Sequence, residues 1–143
     1  MKTARRQARE AALQALYAWQ LSGGDPLDQM KALEGTERAD QAFAYAILRG
    51  VHERAAALQA LITQHIDRKF ERLSPVERAI LYIASFELAA NPETPFKVVL
   101  NEAVELGKSF GGAEGHRFVN GVLEKIASAL RPDEVARSRS RIT

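Results

Sequence analysis

Between Pro95 and Ala127 the chain carries two apolar stripes of helical period, separated by a glycine pair. Pro95 presets φ for a helix start. Phe96, Val99, Leu100, Ala103, Leu106 and Phe110 then recur at steps of three and four, the period of one buried helix face. Gly111 and Gly112 read as the stop, because glycine reaches the left-handed C-terminal conformation without a Cβ clash. Val119, Val122, Leu123, Ile126 and Leu130 form the second stripe, and its first turn carries His116, Arg117, Phe118 and Asn120. The stretch therefore predicts two helices joined by a glycine-rich turn.

The remainder extends the helical reading. A first helix is expected over about Thr3–Leu21, then a loop at Ser22–Pro26 and a short helix near Leu27–Leu33. A long helix over about Glu37–Ile66 is marked by Ala44, Leu48, Val51, Ala55, Leu58, Ile62 and His65, with Gly50 as its bend point. Ser74, Pro75 and Glu77 spell a capped start for a helix ending near Ala90. That helix is apolar on two sides: Val76, Ala79, Ile80, Ile83 and Phe86 on one, Leu81, Ala84 and Leu88 on the other. Two apolar faces fit a central helix, or a helix offering its second face to a partner. No alternating β pattern occurs, so the fold class is all-α. The 143 residues suit one domain with its own core, taken as 1–130. Residues 131–143 follow Pro132 without a sustained apolar period and are expected to form a mobile, basic tail.

Charge placement says more than total charge, which is only +2. Lys2, Arg5, Arg6 and Arg9 fall on one stripe of the first helix, which Leu13 and Leu16 continue. Cations at a helix N-terminus oppose the macrodipole, so local helix stability does not explain them. A polyanion would, and so would a solvated face. At the other end of the chain, Arg117, Phe118 and Asn120 combine charge, a stacking face and a base-edge donor and acceptor, the combination that reads single-stranded RNA. Core packing explains Phe118 and Asn120 equally well. Gly121, mid-helix, suggests a close approach by another helix, which would bring Arg117 near Arg5, Arg6 and Arg9.

Nothing in the sequence marks a catalytic site. The chain has no cysteine, and His52, His65 and His116 have no second ligand at metal spacing. There is no phosphate-binding loop and no nucleophile elbow. Glu102 and Glu105 stand three apart, a spacing common on solvated faces. No metal or cofactor is expected, nor a membrane span, and the absence of cysteine fits a reducing cytoplasm.

The runs KVVLNEAVELGKSFG and HRFVNGVLEKIA, with RRQAREAALQALYAWQ and VERAILYIASFEL, resemble the NusB transcription antitermination family. The resemblance implies a compact bundle of about six or seven helices in two packed helical subdomains. It implies a non-enzymatic cytoplasmic protein that binds single-stranded boxA RNA of nascent ribosomal RNA. The ribosomal protein NusE would be its partner and the RNA polymerase antitermination complex its indirect target; some members form homodimers. Carried onto this chain, it implies RNA contacts at Lys2, Arg5, Arg6, Arg9, Tyr17, His116, Arg117, Phe118 and Asn120, and partner contacts at Glu77, Leu81 and Ser85. Replacing Arg6 and Arg9 by alanine is then expected to weaken RNA binding with little loss of helicity. One departure is the run Ala113–Glu114–Gly115 before His116, where Gly115 replaces a stronger cap. A rival reading is a targeting module like the helical N-terminal domain of ribosomal RNA cytosine methyltransferases. A self-associating module is a third, and helix-turn-helix DNA binding a weaker one.

Overall fold

The computed structural model describes residues 2–142, and the side chains of all of these but 112–114, 141 and 142. The chain forms seven α-helices among the described residues: α1 (Ala4–Ser22), α2 (Pro26–Ala32), α3 (Gln41–Thr63), α4 (Pro75–Ala90), α5 (Phe96–Phe110), α6 (Gly112–Leu130) and α7 (Pro132–Ile142). A 3-10 turn, Phe70–Arg72, precedes α4. The helix starts are chemically legible. Thr3, Asp25 and Asp40 each accept a backbone N–H from the first turn of α1, α2 and α3. Ser74 and Glu77 complete a reciprocal capping box on α4. Gly23 and Gly24 take φ of 76° and 77°, the left-handed region that lets the chain leave α1.

Helices α1–α3 pack together on one side, and α5 and α6 pair closely on the other. Helix α4 lies between them and touches α1, α3, α5 and α6. Every residue from Ala79 to Leu88 is buried. The second apolar face of α4 is therefore covered by the chain itself, and the central-helix alternative holds. Leu81 and Ser85 are wholly buried, so the partner contacts expected of them are overturned for the folded chain. One continuous hydrophobic core runs from Ala8 of α1 to Val135 of α7.

Three expectations are corrected. The bend in α3 falls at Arg54 (φ −114°, ψ 16°) and not at Gly50, which instead seats the Phe86 ring where a Cβ would stand. Gly111 has φ −102° and ψ 0°, so α5 passes into α6 without a left-handed residue, and α6 starts at Gly112. The tail expected to be mobile over residues 131–143 instead carries a helix, Pro132–Ile142, that docks through buried Val135. Arg131 is also structural. Its guanidinium donates to the carbonyls of Glu87, Leu88, Asn91 and Thr94, closing the C-terminal end of α4.

Candidate nucleic-acid interface

The first turns of α1 are anchored before they can bind anything. The Asp40 N–H donates to the Ala4 carbonyl (3.0 Å), tying the entry of α3 to the start of α1. Arg9 is buried, with 5% of its side chain exposed against 2% for Glu87. Its Nε and Nη2 donate to the two Glu87 oxygens at 2.9 and 2.7 Å, and its Nη1 to Glu102 at 3.3 Å. This paired, bidentate arrangement satisfies a charge inside the core. The phosphate contact expected of Arg9 is thereby overturned: its guanidinium is held by two carboxylates and nearly closed to solvent. Carboxylates of this chain thus account for part of the basic stripe, and Arg9 needs no external polyanion to explain it.

Arg6 is half free. Its side chain is 36% exposed, and its Nε and Nη2 donate to Glu102 at 3.2 and 2.6 Å. Hydrogen bonding and charge from Glu102, followed by the charges of Glu105 and Glu10, hold the Arg6 pKa above the ordinary arginine value. Glu102 is thus a buried partner of two arginines and not the solvated residue its spacing suggested. Lys2, exposed, pairs with Glu10 at 2.8 Å. Arg5 differs from all three. It is exposed, its guanidinium lies 4.5 Å from the Phe43 ring centroid, and no carboxylate pairs with it among the described residues. Tyr17 is exposed further along α1.

The second group sits on α6, and α5 connects it to the first. Lys2 and Arg6 border a groove whose far wall includes Leu106 and Ser109 of α5. Two residues away, Gly107 receives the backbone of His116: a Cβ there would lie 2.8 Å from the His116 Cβ and 2.9 Å from its Cα. The close approach expected at Gly121 is therefore made at Gly107, between α5 and α6. A Cβ at Gly121 would meet nothing within 4 Å. Since α6 begins at Gly112, the free N–H groups of its first turn precede His116, contrary to the expected helix start there. Glu114, two residues before that histidine, lies outside the residues whose side chains are described.

Phe118 and Asn120 do not share a face. Phe118 lines a groove of about 270 Å³ with His65, Gly121 and Lys125, and Arg68 stacks over its ring at 4.4 Å. Arg68 in turn holds the Asp67 carboxyl below its usual pKa. Asn120 faces the opposite groove, beside α5 and α7, and its amide reaches Glu124 at 3.4 Å. Arg117 is exposed, while His116 is half-buried with Nδ1 lacking a hydrogen-bond partner among the described residues. Glu77 keeps one oxygen on the Ser74 N–H. Sequence reasoning missed Phe43, Arg68, Glu10 and Glu87, and it placed Glu102 on a solvated face. Glu87 alone left a signal, a charge inside the apolar run ILYIASFEL.

Fold and surface together define an all-helical protein with a cation-bearing first helix clamped to the central helix and to α5 by buried ion pairs. The chain belongs to the NusB family, whose model matches residues 6–128. It is 50% identical to the transcription antitermination protein NusB of Paraburkholderia phytofirmans, over 99% of this chain and 100% of the relative. It is 49% identical to the same-named protein of Dechloromonas aromatica, over 94% and 85%. Its fold superposes on T. maritima NusB with a TM-score of 0.84 at 28% identity, covering 95% of this chain and 99% of that one. It also superposes on a crystal structure of the antitermination factors NusB and NusE in complex with dsRNA, at TM-score 0.81 and 28% identity, covering 90% and 99%.

Proposed function

We propose that this chain is a non-enzymatic, cytoplasmic RNA-binding antitermination factor. It binds the boxA element of nascent ribosomal RNA together with NusE and alters elongation by RNA polymerase. The supporting observation is the likeness, over 90% of this chain, to a NusB seen with NusE in complex with dsRNA. The antitermination names of relatives matched over nearly their full length favour this reading over a methyltransferase-targeting module.

We assign the residue roles within this reading as follows. Lys2, just ahead of α1, Arg5 and Arg6 on α1 and Arg117 on α6 are the cations proposed to meet phosphates. Tyr17, His116, Phe118 and Asn120 remain the proposed base and sugar contacts, with Phe118 reachable by a base once Arg68 swings off its ring. Glu77 remains the proposed NusE contact, and a homodimer is testable by sedimentation. Fluorescence anisotropy tests the reading: a boxA RNA should bind more tightly than a scrambled RNA, and NusE should widen the gap. Equal weak binding to both RNAs, unaffected by NusE, would reduce α1 to a nonspecific patch.

A further inference from the structure

The cations proposed to meet RNA are not waiting empty. Glu102 grips Arg6 through two parallel hydrogen bonds, and Glu10 pairs with Lys2. Both pairs line one groove of about 110 Å³ between α1 and α5. A carboxylate presents the same two-oxygen edge to a guanidinium that a phosphate does. Arg6, which lines the groove, keeps 36% of its side chain open to solvent against 5% for Arg9, so its partner can be exchanged.

We propose that Glu102 and Glu10 are built-in competitors for RNA phosphate, so that RNA reaches Arg6 and Lys2 only by displacing a carboxylate. This rests on the RNA reading above. The consequence is lower sequence-independent affinity, because that affinity follows the number of phosphates neutralised. Arg5, which has no such competitor among the described residues, is the cation that makes first contact.

The test compares wild type, Glu102→Gln and Glu10→Gln by anisotropy with a scrambled single-stranded RNA across a salt series. Glu53→Gln, an exposed residue on α3, supplies the same change in net charge away from these pairs. Glu102→Gln and Glu10→Gln should each tighten binding by roughly threefold at low salt and steepen the log–log salt slope by about 0.7, one phosphate's worth. Glu53→Gln should do neither, and Glu102→Gln should gain nothing when Arg6 is already alanine. Folded variants with unchanged or weaker binding, or a gain matched by Glu53→Gln, would overturn the proposal. Should Glu102→Gln fail to fold, Glu10→Gln decides alone, with Lys2→Ala as its control background. Elution from heparin separates the two readings. A wild type that binds no RNA defeats the RNA reading, yet later elution of the two glutamine variants would still support the carboxylate block.

Discussion

Arg9 and Arg5 are four residues apart on one helix stripe and have opposite fates. Arg9 is enclosed by Glu87 and Glu102, whereas Arg5 rests on the Phe43 ring in water. Replacing Arg9 with alanine leaves Glu87 as an uncompensated buried charge, so we expect a loss of about 3–5 kcal/mol in denaturant unfolding. The Arg6/Arg9 double alanine variant should therefore lose stability as well as any RNA contact, which makes it a poor probe of that contact. Arg5→Ala should leave the unfolding midpoint nearly unchanged and weaken RNA binding. A stable Arg9→Ala protein would contradict the assignment. The stripe itself was legible in the sequence; its division into core and surface was not. That division depends on carboxylates 78 and 93 residues away, which no local period reveals.

At the scale of elements, two glycines make opposite predictions. Gly107 is the floor on which α6 sits, so Gly107→Ala pushes His116 and its helix outward, at a cost of about 1–3 kcal/mol. Gly121→Ala meets nothing and should stabilise α6 by about 0.5–1 kcal/mol. Thermal melts of both check the pair; equal effects would refute the packing. The docking of α7 carries a pH signature. Burial works against the charged form of Glu134, but the Phe96 N–H and Arg131 outweigh it and hold its pKa below the ordinary glutamate value. A depressed folded pKa contributes stability above the unfolded pKa, and that contribution is lost as pH falls through the folded value. The Val135 contact should therefore loosen in acid before the core does, and Glu134→Gln should flatten that dependence, as amide exchange along α7 would show. The helix starts at Thr3, Asp25, Asp40 and Ser74 could be read from local chemistry. Helix α7 could not, because it is held by Arg131 reaching the end of α4 and by a carboxylate capping α5, both tertiary contacts.

For the whole molecule, the burial of α4 on every side joins the N-terminal and C-terminal helices into one core. Calorimetric and van't Hoff enthalpies should then agree for a single transition; two resolved transitions would mean the halves unfold separately. The all-α class and the family were legible from the apolar periods and the C-terminal runs. The placement of the site was only partly so: the α1 cations border a groove against α5, while Phe118 and Asn120 of α6 face two other grooves. Amide chemical-shift mapping during titration with boxA RNA tests the central claim most directly. The account predicts shifts concentrated at Lys2, Arg5, Arg6, Arg117 and Phe118, with Leu81 and Ser85 quiet. Shifts confined to the far groove around Trp19 and Tyr82, with the start of α1 silent, would contradict it.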